Sequence, residues 1–136
     1  MDILTFNLVE EKIKKLIYQK CSLNLSQTRL LLYFDSTQNK KISMGSLASA
    51  LNISLSTLSR QINQKQTLVL VDLERAKYSS TKVLCLNQKG LDKVEQLRGL
   101  LNEIELILLD EWGKEEVLHF QNQLDKILST LNEQVS

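Results

Sequence analysis

The chain has 136 residues, of which 43% are hydrophobic and 24% charged, and its net charge is only +1. This is the length and composition of one soluble globular domain with a buried core. No run of eighteen apolar residues occurs, so a membrane-spanning helix is excluded; the first residues carry acids and lysines where a signal peptide would be apolar, and a cytoplasmic location is expected.

Taken in chain order, Val9, Ile13, Leu16 and Ile17 share one helical face and predict a helix over about Leu8 to Cys21. Ser26 is placed to cap a second helix carrying Leu30, Leu31, Leu32, Tyr33 and Phe34. Tyr33 and Phe34 are expected to pack in the core. Ser43 then caps a short third helix in which Leu47, Ala48 and Leu51 fall on one face. Asn52 tolerates the left-handed conformation that ends helices, and Ser54 supplies a second cap two residues later. The connection is too short for anything but a sharp turn. A fourth helix is expected over Leu55 to Lys65.

At about 100° per residue, Leu55, Leu58 and Ile62 of that helix share an inward face. Opposite them lie Ser56, Thr57, Arg60, Asn63 and Gln64. Short hydroxyls, amides and a guanidinium are the groups that hydrogen-bond to base edges and phosphates in a DNA major groove. Ala48 is the small residue that two crossing helices need, and its spacing to Asn52 and Leu58 matches a helix-turn-helix. A solvated face of a small helical protein has the same composition, so this stretch alone leaves both readings open.

Farther on, Leu68 to Leu73 and Lys82 to Leu86 are apolar runs joined by a polar, basic connector, which predicts a β-hairpin. Asn87 caps a long helix with Leu91, Val94, Leu97, Leu101, Ile104 and Leu108 on one stripe. Gly113 breaks it, and Val117, Phe120, Leu124, Ile127, Leu131 and Val135 resume the pattern. These stripes exceed what a small wing and short helices cover. Burial against a second copy is expected, the alternative being that they fold back over their own core.

Charge is distributed unevenly. Residues 36–90 hold eight bases against two acids, a surplus of +6, whereas residues 91–136 hold four bases against ten acids, or −6. Such a dipolar molecule approaches DNA in one orientation. Cys21 and Cys85 are isolated, and with His119 as the single histidine no zinc-ligand spacing exists; both thiols are expected to be reduced and structural, and no metal or cofactor is expected. Cys21 follows Tyr18 by three residues, and a redox-sensing thiol is the alternative to a structural one, but Cys21 lies near a helix C-terminus, the wrong end of the dipole for a thiolate. The chain has no carboxylate pair in a glycine-framed loop, no nucleophile–histidine set and no phosphate loop, so no catalytic residue is assigned and an enzyme is not expected.

The order of these elements resembles the MarR family of winged helix-turn-helix regulators over nearly the whole chain. Leu25-Ser26-Gln27-Thr28-Arg29-Leu30-Leu31-Leu32 resembles the opening of the family's second helix, and Ser46-Leu47-Ala48-Ser49-Ala50-Leu51-Asn52-Ile53-Ser54 resembles its "x-L-A-x-x-L-x-x-S". Ser56-Thr57-Leu58-Ser59-Arg60 is similar to the start of its recognition helix, and Leu86-Asn87-Gln88-Lys89-Gly90 to the "L-T-x-x-G" that leads from the wing into the dimerisation helix. Two departures stand out. Lys65-Gln66-Thr67-Leu68-Val69 lacks the glycine usual at the end of the recognition helix, and Tyr78, Ser79 and Ser80 stand where the wing usually carries Asp-x-Arg.

The resemblance implies a mainly α fold with a small antiparallel β-hairpin: a winged helix-turn-helix with N- and C-terminal dimerisation helices. One domain is expected over residues 1–136, with 25–90 as the DNA-binding region and 1–24 and 91–136 as the helical dimerisation region. It further implies a homodimeric, sequence-specific regulator of transcription, a repressor, bound to double-stranded DNA and open to a small-molecule effector, with no membrane partner. The DNA-binding set is Ser54, Ser56, Thr57, Ser59, Arg60, Asn63 and Gln64, with Arg75, Lys77 and Lys82 supplying the wing's positive charge. The alternative is a winged-helix protein–protein interaction module that reads no DNA.

Overall fold

A computed structural model describes residues 1–135. Seven helices and three strands follow in the order α1 (Thr5–Cys21), α2 (Leu25–Ser36), β1 (Ile42–Ser43), α3 (Met44–Ala50), α4 (Leu55–Ile62), α5 (Lys65–Leu68), β2 (Val71–Arg75), β3 (Lys82–Leu86), α6 (Gln88–Trp112) and α7 (Lys114–Val135). Two compact units are present, Met1–Arg98 and the segment from Gly99 onward.

In the first unit, the core is built from Leu30, Leu31 and Phe34 of α2, Leu47 and Ala48 of α3, Leu58 and Ile62 of α4, Leu84 and Leu86 of β3, and Val94 and Leu97 of α6, all buried. The strands form one antiparallel sheet in the order β1-β3-β2, with Val71 opposite Leu86, Leu73 opposite Leu84 and Arg75 opposite Lys82. Strand alternation therefore puts Val71, Leu73, Leu84 and Leu86 on the core face, and Asp72, Glu74, Val83 and Cys85 on the other.

Several expected boundaries shift, each for a local reason. The first helix starts at Thr5, and of its expected inward face only Ile17 is buried, while Val9 is exposed. Asn24, not Ser26, caps α2: its side chain accepts from the Gln27 N–H at 2.9 Å, and the Gln27 side chain accepts from the Asn24 N–H at 2.9 Å. This reciprocal capping box satisfies two end groups at once, and Ser26 only donates to Asn24 Oδ1. The two-residue β1, absent from the sequence reading, adds a third strand. Just before it, Asn39 donates to the Leu86 carbonyl at 3.0 Å and accepts from the Leu86 N–H at 2.8 Å, standing in for one more residue of strand.

The fourth helix ends at Ile62 rather than Lys65, because Gln64 is extended and opens a separate turn, α5, whose Thr67 is buried and accepts from Gln27 Nε2 at 3.2 Å. Leu68 and Val69 are consequently exposed, and the strand begins at Val71 instead of Leu68. Asn87 caps α6 as expected, accepting from the Gly90 N–H at 3.0 Å.

In the second unit, Gly113 adopts a left-handed φ of 81° and separates α6 from α7. Trp112 and Phe120 meet edge-to-face across that break, with ring centroids 6.2 Å apart. α7 begins at Lys114 with Glu115 and Glu116 in its first turn, and it buries no residue. Leu118, Phe120, Leu128 and Leu131 along it are exposed.

Candidate nucleic-acid interface

Short-range capping builds the helix pair around α3 and α4. Ser43 caps α3 through the Ser46 N–H at 3.2 Å. After the helix, Asn52 takes φ 55° and the Ile53 N–H returns to the Ala48 carbonyl at 3.0 Å, which completes the C-terminal turn. Arg29 of α2 donates to the Leu51 carbonyl at 2.6 Å and pins that turn to the second helix. Ser54 then caps α4 through the Thr57 N–H at 3.1 Å.

α4 is two-sided. Leu58 and Ile62 are each 1% exposed, and Ser56 and Arg60 are exposed on the far side, as the periodicity predicts; Asn63 and Gln64 are exposed beyond the helix end. Leu55 is a correction: it is 54% exposed, because it sits in the first turn beyond the edge of the core although its angular position matches Leu58. Thr57 and Ser59 are half-buried.

The residues expected to meet DNA fall into two groups. At the start of α4, Ser54 Oγ donates to Thr57 Oγ1 at 2.8 Å, Arg60 Nη2 donates to the same oxygen at 3.2 Å, and the Ser54 and Ser56 hydroxyls lie 3.1 Å apart. One turn later, Asn63 folds its amide back on Ser59, donating to the carbonyl at 2.8 Å. Gln64 lies beyond the end of the helix, at the N-cap of α5. In the wing, Arg75 and Lys82 are directly opposite one another at the end of the hairpin, and Lys77 lies in its loop. None of these three cations, nor Arg60, has a carboxylate partner among the described residues. Like charges directly opposite on a sheet are unfavourable, so an anion between Arg75 and Lys82 would relieve a repulsion built into the register.

Lys41 behaves differently from the other cations of the basic segment. Its ammonium lies 2.5 Å from Glu74, and that hydrogen bond and charge raise its pKa above the usual lysine value. On the same sheet face the Cys85 thiol is pushed up, first by burial and then by Asp72, so it stays protonated. Cys21 is buried. Among the described residues no cluster of metal-ligating side chains occurs, and no helix is long and apolar enough to cross a membrane. Tyr78 stands in the sequence only as a departure from Asp-x-Arg, with no role assigned to it. It is 95% exposed in the wing loop, holds φ 63°, and lies under the Lys77 ammonium at 5.3 Å from the ring centroid. An aromatic residue inside a polar, basic connector was the available signal.

No protein-family model and no curated protein sequence matches the chain. Solved structures do. MepR of Staphylococcus aureus, in complex with DNA, superimposes with a TM-score of 0.79 at 22% identity, over 96% of this chain and 98% of that one. MarR superimposes with a TM-score of 0.76 at 13% identity, over 96% and 90%. AbsC of Streptomyces coelicolor, a MarR family transcriptional regulator, gives 0.70 at 20% identity, over 93% and 86%. The chain thus has the winged helix-turn-helix fold of the MarR-type regulators, from its first helix to its last.

Proposed function

We propose that the chain is a cytoplasmic, homodimeric, sequence-specific regulator of transcription that places α4 in the major groove of double-stranded DNA and represses by occupying its site. The observation that carries this reading is α4 itself. One face is anchored by Leu58 and Ile62, and the other presents Ser56 and Arg60 to solvent with no carboxylate among the described residues to neutralise the guanidinium. That MepR, with the same fold, has been captured in complex with DNA supports it. The wing cations Arg75, Lys77 and Lys82 supply phosphate contacts, which position a protein on DNA without reading sequence. The exposed apolar residues of α1 and of α7, considered separately, support pairing with a second copy. Two reading heads then meet half-sites about 34–36 Å apart, one helical turn of DNA.

The first unit holds a seat for an effector: a cleft of about 540 Å³ lined by apolar Phe34, Leu86 and Leu91 and by charged Asp35, Glu95 and Arg98. Its volume is that of a small-molecule site. Arg98 pairs there with both Asp35 and Glu95.

Titration of binding against salt tests the DNA reading. The full chain should bind duplex DNA with a log–log slope of about −0.9 per phosphate neutralised, and Arg60→Ala should weaken a selected site about tenfold or more while the thermal melt is unchanged. Absence of duplex binding at low salt, or binding insensitive to salt, would favour the protein–protein module instead.

A further inference from the structure

Counting hydrogen bonds at the start of α4 shows which group is left to face a ligand. This inference rests on the DNA-reading function proposed above. A hydroxyl has one hydrogen to give and two lone pairs. Thr57 Oγ1 accepts from Ser54 Oγ at 2.8 Å and from Arg60 Nη2 at 3.2 Å, so both lone pairs are taken and only its hydrogen is unspent. Ser54 Oγ gives its hydrogen to Thr57 and accepts the Thr57 N–H at 3.1 Å. Its remaining lone pair faces the Ser56 hydroxyl at 3.1 Å, so Ser56 must be the donor of that pair. Ser56 is left with acceptors alone. Arg60 keeps four of its five N–H groups, with one amino group tethered to Thr57.

We propose that Thr57 is a positioning residue that holds the Arg60 guanidinium and joins it as a second outward donor, so that this pair selects guanine on the major-groove edge. Guanine offers two acceptors there, N7 and O6, whereas adenine replaces one of them with an amino donor that would confront a donor-only pair. The order along the helix matters too. Ser56, left as an acceptor, suits an amino group of cytosine or adenine on a neighbouring base, so the two adjacent side chains prefer opposite edges. Helix geometry alone assigns none of this, since Ser56 and Thr57 have equivalent free hydroxyls until Ser54 orients them.

The test is selection of binding sites from a random duplex pool by the full chain and by Arg60→Ala, Thr57→Val and Thr57→Ser. The wild type should enrich a guanine in each half-site that Arg60→Ala loses. At that same position Thr57→Val, which has the shape of threonine but no hydroxyl, should lose about tenfold of the preference for guanine over adenine, within the range of one bidentate contact. Thr57→Ser should restore it. Both variants keep the backbone N–H bond to Ser54, and their thermal melts report whether α4 is intact. Thr57→Val selecting the same guanine as strongly as the wild type would overturn this inference alone. A wild-type chain that enriches no sequence would overturn the DNA-reading function and the inference with it.

Discussion

Gly90→Ala should destabilise the protein, although it replaces the poorest ordinary helix former with the best. Gly90 lies in the first turn of α6, where its N–H donates to the Asn87 cap. A Cβ there would come within 2.3 Å of the Leu70 carbonyl oxygen, 3.0 Å of Leu86 Cβ and 3.2 Å of Leu86 Cδ2. The first of these is backbone, and it is already fixed as the acceptor of the Asn87 N–H at 3.0 Å. Relief of the contact must therefore part α6 from Leu70, at the head of β2, or break that bond. Overpacking of this kind costs about 1–3 kcal/mol. Gain in helix propensity returns at most about 1 kcal/mol, and less in a first turn. Net destabilisation of about 1–2 kcal/mol corresponds to a fall in melting temperature of about 4–8 °C at this chain length. Gly99→Ala is the control, since a Cβ at this position in α6 meets nothing within 4 Å and should hold or raise the melting temperature. Thermal unfolding followed by circular dichroism measures both. Gly90→Ala melting at or above the wild type would show that the close approach of α6 to Leu70 is not what requires glycine.

Two further outcomes are expected. Cys85 should alkylate slowly in the folded chain at pH 8, with a pH midpoint above the ordinary thiol value, because burial and then the Asp72 carboxylate disfavour its thiolate. Asp72→Asn should raise the rate, and peptide mapping that places the midpoint at or below that of an unperturbed thiol would refute the assignment. Leu128→Glu should leave the melt of each protomer nearly unchanged, since the side chain is 61% exposed, yet weaken self-association at least tenfold in sedimentation equilibrium. A dimer of unaltered strength would remove α7 from the interface.

The parts of the fold that were legible in the sequence are those decided within four residues. Ser43, Ser54 and Asn87 each accept from a backbone N–H three positions on, and Asn52 acts through its own left-handed backbone, so their roles could be read without tertiary knowledge, and the helices the three caps open start where the pattern put them. Illegible features were decided by distant partners. Asn24 and Ser26 are both acceptable caps, and the choice between them goes to Asn24 because Gln27 reciprocates and is itself held by Thr67, forty residues away. The same Thr67 draws α5 into the core and ends α4 at Ile62, which no periodicity could reveal because Asn63, Gln64 and Lys65 are as compatible with helix as with a turn. β1 exists because β3 pairs with it at Leu84 and Val83, and Asn39 bonds the Leu86 backbone beside that pairing.

For the candidate site, this distinction separates two kinds of prediction. Angular position told which residues of α4 face outward, and that held for Ser56 and Arg60, whereas Asn63 and Gln64 are exposed beyond the helix end. It could not tell which of them still have a hydrogen bond to offer. Asn63 spends amide hydrogens on Ser59, and Thr57 spends both lone pairs on Ser54 and Arg60, so two neighbours of equal apparent promise differ in what they can recognise. The wing shows the same gap from the other side. Its missing Asp-x-Arg looked like a loss in the sequence, yet the hairpin register brings Arg75 opposite Lys82, and neither has a carboxylate partner among the described residues. Cationic density at the tip is thus produced by strand pairing between residues seven positions apart, a relation the linear motif does not contain. An anionic partner bound at the tip would offset the unfavourable like-charge pairing that this register imposes.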